Sequence, residues 1–496
     1  MSTSFRKSCL ILFAALLWVS ASGQTVSLKV IQTTDVHGSI EQGKFGRIAT
    51  LIRQECKAAG GSPNTVLADC GDLMQGSFPM TLDRGGVMIR ALNLLSYDVF
   101  VPGNHDFEFG ADSLRDHLKQ FRGIVCALNL DWKDTPVRRW TLLKKSGLDV
   151  AVIGITFPAL DTLVSGDQLK SVRLLDAEKE MARIMPEVMN VRPVVIILAV
   201  HAGEYTPVSG RLTLTQLIRK YPQIDLVLGG HTHQDIPGKS LGGHAWFLQA
   251  PAHAGGIAVA DILYDSRERR VVSLQSRLLL LADRETAPLP EMEKVFSEQL
   301  KRSARTGAEQ IARLPFPLEP LSGTEHSNRL TGLFANTIHE YTGAPVVFHG
   351  THGKFAQAPG PLNRRQLFAL TPYEDKIGVL KLTPSECRMV LEEQHAKKRS
   401  GMFQAPSGIV YSTGRGGRIK GSLRLKGESG DWTDETRTVA CAFTTFALAG
   451  AGGRFPLLRS LAELHAVEVY PDGIRTVLEN HLRKNHPIQT HPIERK

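Results

Sequence analysis

The first half of the chain reads as an α/β fold, and three observations carry that reading. Short apolar runs rich in Val, Ile and Leu recur between about residues 25 and 285, at 27–32, 65–68, 98–101, 124–127, 149–155, 194–200 and 225–228. Between them apolar residues return at helical spacing, as in Ile48, Leu51, Ile52 and Cys56, or Met88, Leu92 and Leu95. Polar clusters follow directly on the runs. Alternating strand and crossover helix is the signature of βαβ units and an open α/β sheet.

Taken in order, the run at 27–32 leads into TTDVHG, with Asp35 and His37, and the run at 65–68 leads into CGDLMQG, with Asp72. The run at 98–101 opens GNHDFEFG, with Asn104 and His105. After two runs without such a cluster, 194–200 ends in AVHAGEY at His201, and 225–228 in GGHTHQ at His231 and His233. In open α/β sheets, ligands bind beyond the carboxyl ends of the strands, so clusters far apart in sequence can converge on one edge. One histidine at a strand end is more often a satisfied core residue. Five clusters in the same topological place are not explained that way.

At 496 residues the chain is too long for one ordinary core and implies two domains. Its formal net charge of +10 favours anionic partners, but the basic residues are dispersed, which suits a phosphorylated small molecule and a solvated surface. No motif supports binding of a nucleic-acid duplex. Arg6 and Lys7 precede an apolar run from Cys9 to Val19 and the small residues Ser20, Ala21, Ser22 and Gly23, the layout of a cleavable signal over 1–23. The expected mature chain starts near Gly23 or Gln24, has no membrane span and is periplasmic or secreted. Cys56, Cys70, Cys126, Cys387 and Cys441 are scattered, give no disulfide framework and read as buried thiols.

The first domain is expected over 24–285, a linker helix over 286–312 and a second domain over 313–496. The last contains another α/β-like succession, with strands at 344–348 and 376–382 and a helix at 384–395. Two Gly-rich loops, STGRGGRIKGS and AGAGGRF, match neither a P-loop nor a dinucleotide fingerprint. Nothing in the sequence sets an oligomeric state.

Imidazole nitrogen, carboxylate oxygen and amide oxygen together suit zinc, manganese, cobalt or iron better than calcium. Seven candidate ligands exceed what one catalytic ion can use, and two ions sharing a carboxylate explain the number. Asp35-x-His37, Gly71-Asp72, Gly103-Asn104-His105-Asp106, His201 and Gly230-His231-Thr232-His233 resemble the calcineurin-like metallophosphoesterases. The longer forms GNHDFEFG and GGHTHQ, with the exported two-domain layout, look like the 5′-nucleotidase and 2′,3′-cyclic-nucleotide phosphodiesterase branch.

That resemblance implies a four-layer α/β/β/α sandwich followed by a second α/β substrate-binding domain. It also implies that Asp35, His37 and His233 hold one metal, Asn104, His201 and His231 a second, and that Asp72 bridges them. His105 would stabilise the transition state and assist the leaving oxygen, with Asp106 or Glu108 orienting its other nitrogen; the family's usual spacing favours Glu108. In the second domain the resemblance puts Phe403 and Phe446 where two rings clamp a nucleobase, and either could equally be a core residue. His349-Gly-Thr-His-Gly-Lys354 replaces an arginine-bearing loop, so that Lys354 stands as a substrate-binding point charge. An aspartate expected near Gly452 and Gly453 for the ribose is absent, and the PYEDKI segment around Tyr373 restores neither group.

The implied activity is metal-dependent hydrolysis of 5′-nucleotides or 2′,3′-cyclic nucleotides by an activated water. The alternatives are hydrolysis of other phosphate or sulfur esters, such as sugar nucleotides or thiosulfate-type conjugates, and an exported metal-binding protein without turnover. Cys70, Glu204 and Tyr205 are set aside as structural or exposed, and His486 and His491 as a frayed tail; His253 lies in QAPAHAGG, which resembles the family's loop after the last metal motif and could approach the substrate, but is read as a surface-loop residue.

Overall fold

The computed structural model describes residues 25–321, 327–350, 356–396 and 403–486. The expected signal at 1–23, Lys354 and His491 lie outside them.

The strand runs are found where the sequence puts them, and they divide between two sheets. A seven-stranded sheet has the order Arg270–Leu280, Gly256–Asp265, Thr25–Thr33, Thr65–Asp69, Val99–Phe100, Ile124–Cys126 and Val137–Arg138. A six-stranded sheet has the order Ile236–Ser240, Trp246–Gln249, Leu226–Leu228, Val195–Val200, Leu148–Ile155 and Trp140–Lys145. Thr25–Thr33, Thr65–Asp69, Val99–Phe100 and Ile124–Cys126 are mutually parallel in the first, as are Leu148–Ile155, Val195–Val200, Leu226–Leu228 and Trp246–Gln249 in the second.

Alternation along each strand explains the stacking, because successive side chains point to opposite faces. Val30, Val66, Val152 and Ile197 meet in one core between the sheets. Their neighbours Ile31 and Leu67 face an outer core with Ile48, Leu51, Ile52, Met88 and Leu92 of the helices Lys44–Ala58 and Gly86–Leu95. On the other side Ile153, Ile196 and Leu198 face Met181, Ile184 and Val188 of the helix Ala177–Asn190. Asp176 caps that helix by accepting the Lys179 N–H at 3.0 Å. Helix, sheet, sheet and helix make four layers. These are the four layers that the resemblance implied; alternation by itself reads only as an open α/β sheet, since a run buried on both faces has the same composition in one sheet or two.

The helix Pro290–Gly307 lies on the first core through Met292 and Phe296, the latter edge-on to Phe45 with centroids 5.8 Å apart. The strand Gln310–Leu314 begins inside the stretch read as linker and pairs with Gly360–Asn363. Beyond it, a five-stranded sheet has the order Ala405–Ser407, Val346–His349, Val439–Thr444, Lys376–Leu382 and Val467–Gly473. Its two faces fill separate cores, with Val347, Val379 and Ala442 on one and Phe348, Leu380 and Phe443 on the other. Among the described residues all five cysteines are free, Cys56 being partly buried and the others buried, and no helix is long and apolar enough to cross a membrane.

Candidate metal centre and substrate cavity

The polar clusters leave the carboxyl ends of strands in both stacked sheets. Asp35, Asp72 and Asn104 come from the seven-stranded sheet; His201 and His231 come from the six-stranded one. Asp35, His37, Asp72, His231 and His233 all stand at positive φ, between 51° and 72°. Non-glycine residues rarely adopt this conformation, and it clusters where function requires a side chain to be aimed.

Two groups of donor atoms result. Asp35, His37, Asp72 and His233 each offer an atom within 4.8 Å of the others, and Asp72, His201 and His231 do the same. His231 Nδ1 lies 2.9 Å from Asn104 Oδ1, which brings the amide to the second group. Asp72 belongs to both, with Oδ2 3.1 Å from His201 Nε2 and 4.0 Å from His37 Nε2.

The hydrogen bonds show what the donors could accept. His37 Nδ1–H donates to the Gln75 carbonyl at 2.9 Å, and His201 Nδ1–H to the Cys70 carbonyl at 2.6 Å. Each ring therefore turns its Nε2 toward the carboxylates. His37 Nε2 faces His233 Nε2 at 3.0 Å. His201 Nε2 is buried without a hydrogen-bond partner, although Asp72 Oδ2 is close enough for an ion pair. Nitrogen lone pairs and carboxylate oxygens at such separations repel unless a proton or a metal cation lies between them. Burial alone would discharge His201, yet Asp72 and Asp35 push its pKa up to about 9, while burial holds His37 down at about 3 and His231 at about 4. His37 and His231 are thus neutral, and His201 carries a proton facing Asp72 that a divalent ion would replace; this imidazole and carboxylate set fits divalent ions of the nitrogen-tolerant kind.

Gly103 makes this packing possible. A Cβ there would lie 2.3 Å from Asp72 Oδ1 and 2.8 Å from His201 Cε1. Gly103→Ala is expected to destabilise the fold by about 1–3 kcal/mol in denaturant melts, through overpacking, and to weaken divalent-ion uptake. Wild-type values for both would show that the donor cluster tolerates expansion.

His105 stands beside the donors without joining either group. Its backbone N–H donates to Asp72 Oδ1 at 2.7 Å, its Nε2 is 4.0 Å from Asp72 Oδ2, and its Nδ1 bonds Glu108 Oε1. Burial opposes charge on this ring, but Asp72 and Glu108 outweigh it and push its pKa up to about 10. Asp106, the other candidate for orienting it, is used elsewhere. Its carboxylate accepts backbone N–H groups of Gly103, Asp72, Leu73 and Met74 at 2.8–2.9 Å, which ties the two metal-motif loops together.

A cavity of about 450 Å³ opens from Asp72, Asn104 and His105 and is also lined by Phe403 and Phe446. Phe403 is buried and Phe446 partly buried, so both the ring-clamp and the core expectation retain a physical basis. Phe157, Arg454 and Asp375 line the cavity as well and were not singled out in the sequence. Phe157 stacks on His231 with centroids 4.2 Å apart. Arg454 stands in the loop where the sequence lacks an expected aspartate. Asp375 accepts the Phe446 N–H at 3.2 Å, and burial, with Glu108 nearby, raises its pKa to about 7. His253, set aside as a surface residue, is exposed but lies against the centre, 5.0 Å from His37 and 5.1 Å from His233 between ring centroids. Only the resemblance of QAPAHAGG to the family's loop hinted at this proximity.

Residues 28–235 match the calcineurin-like phosphoesterase family. This segment is a calcineurin-like phosphoesterase domain. The phosphoesterase domain thus takes in every proposed metal donor from Asp35 to His233. The chain is 28% identical over 288 residues to Protein UshA of Escherichia coli (strain K12), covering 51% of this chain and 52% of that protein. It is 28% identical over 267 residues to the 2′,3′-cyclic-nucleotide 2′-phosphodiesterase/3′-nucleotidase of Salmonella typhimurium, covering 46% and 40% respectively. The matches thus span about half the length of these curated relatives, or less. The fold beyond the phosphoesterase domain is shared too. A putative 5′-nucleotidase from Staphylococcus aureus superposes with a TM-score of 0.77 at 16% identity, covering 93% of this chain and 98% of that one.

Proposed function

We propose that the chain is an exported, two-metal hydrolase of nucleotide phosphoesters, acting on 5′-nucleotides or 2′,3′-cyclic nucleotides. The observation that carries this reading is the meeting of the donor groups and the His105–Glu108 pair in one cavity that Phe403 and Phe446 also line. In this reading Asp35, His37 and His233 hold one divalent ion, Asn104, His201 and His231 the other, and Asp72 both. Bound there, such ions supply Lewis acidity toward phosphoryl oxygens and a strongly acidified water. The names of the relatives favour nucleotides, and the layout of residues 1–23 favours export.

The chain's own groups then direct the reaction. The water oxygen bonds to phosphorus, the ester P–O bond breaks, and the leaving oxygen takes the proton from His105 Nε2. Glu108 holds the other ring nitrogen, so the charged imidazole keeps its orientation through the transfer. The nucleobase stacks on Phe403 and Phe446, which recognise any base by its face.

The test is to express residues 24–496, strip divalent ions, restore manganese, cobalt, zinc or iron, and measure phosphate release from nucleotides, cyclic nucleotides and aryl phosphates. Metal-dependent release near two equivalents of bound ion is expected; no release from any ester would overturn the reading. Phe403→Ala and Phe446→Ala should each raise KM for nucleotides by about tenfold, the worth of one stacking contact, and leave KM for a small aryl phosphate unchanged. Unchanged KM for nucleotides would return both rings to the core.

A further inference from the structure

The turn from Thr371 to Glu374 belongs to the second half of the chain, yet it touches the His105–Glu108 pair at several points. The Glu374 backbone N–H donates to Glu108 Oε2 at 3.0 Å, so the two oxygens of Glu108 are divided between the His105 ring and this turn. The Tyr373 ring stacks on the His105 imidazole, with centroids 5.8 Å apart and planes inclined by 23°. Gln168 Nε2 donates to the carbonyls of Glu108 at 2.6 Å and of Glu374 at 3.4 Å, bridging the two segments. Gln75 accepts from His37 through its carbonyl and donates its side-chain amide to the Pro372 carbonyl at 2.7 Å.

The turn is itself held from behind. Arg475 donates to the Glu374 carboxylate at 2.6 Å and to the Thr371 and Tyr373 carbonyls at 3.0 and 3.1 Å. Tyr373 remains 39% exposed, so burial in a core does not account for its placement.

We propose that Tyr373 and the Glu374 amide form a positioning element that aims the His105–Glu108 pair, so that the second half of the chain completes the proton donor of the first. The inference rests on the hydrolase reading above. A ring lying along one face of the imidazole restricts its rotation and removes water from that face. The amide fixes the Glu108 rotamer, and with it the direction of His105 Nε2. Neither residue exchanges a proton or touches the reacting phosphorus. A proton donor displaced by about an ångström loses much of its rate advantage, which is what such an element prevents.

The experiment uses the full mature chain with metal restored, and the variants Tyr373→Ala, Tyr373→Phe and Gln168→Leu. Each is assayed on a nucleotide, whose alkoxide leaving group needs a proton, and on p-nitrophenyl phosphate, whose leaving group departs with little need of one. Tyr373→Ala is expected to lower kcat on the nucleotide about tenfold, with KM within about twofold and little change on the aryl ester. Tyr373→Phe keeps the ring and should behave as wild type; Gln168→Leu should move in the same sense as Tyr373→Ala. Equal losses on both esters, a loss confined to KM, or a phenylalanine variant as poor as the alanine one would overturn the positioning role. A wild-type chain inactive on both esters would instead sink the hydrolase reading itself, a separate failure.

Discussion

Asp72→Asn should abolish metal-dependent turnover, lowering kcat by about a thousandfold or more. The carboxylate is buried and belongs to both donor groups, with its Oδ2 3.1 Å from His201 Nε2 and its Oδ1 accepting the His105 N–H at 2.7 Å. Asparagine keeps the shape and the acceptor for that N–H but removes the negative charge shared by the two proposed ions. Lewis-acid stabilisation is worth several kcal/mol, and each 1.4 kcal/mol or so is a decade in rate. Ligands that bind only the folded state raise its apparent stability. The variant should therefore also lose most of the upward shift in melting temperature that added metal gives the wild type. A variant that turns over normally, or that still binds about two equivalents of metal, would remove Asp72 from the bridging role.

His105→Ala should separate chemistry from metal binding. His105 contributes no atom to either donor group, so metal content should hold while kcat on nucleotides falls by about 10²- to 10⁴-fold, the usual worth of a general acid. Glu108→Gln should give a smaller loss of the same kind, because the ring keeps a hydrogen-bond partner but loses the charge that sustains its proton. Asp106→Asn should act differently: four backbone N–H groups converge on that carboxylate, so thermal stability and metal uptake should fall together. If His105→Ala emptied the metal centre, or if Asp106→Asn mimicked Glu108→Gln, the division of labour would be wrong.

Much of the proposed centre is legible in the sequence because strand ends are legible. Apolar runs ending in Asp, His and Asn mark the carboxyl edge of a sheet, and the proposed donors from Asp35 to His233 lie within one family match. The carboxylate on His105 was less clear from spacing alone, since residues one and three positions on can both reach a neighbouring ring. Backbone amides decide it: the loop at Gly71–Met74 presents N–H groups that take Asp106, leaving Glu108 for the imidazole. Phe157, Arg454, Asp375 and His253 reach the cavity or the donors from other elements, and such convergence has no local periodicity to reveal it.

By itself the sequence determined the α/β class, the strand runs and the donor clusters at their ends, because composition and spacing act along the chain. Composition did not say how the runs divide between sheets: the motif resemblance implied two sheet layers, and the tertiary structure set which strands pair in each, since a strand buried on both faces carries the same apolar signature in one sheet or two. The tertiary structure also decided which atoms face the centre: His37 and His201 donate their Nδ1–H groups to carbonyls distant in sequence, and that turns Nε2 toward the carboxylates. The same holds for the turn bearing Tyr373, which meets His105 only because the second half of the chain packs against the first.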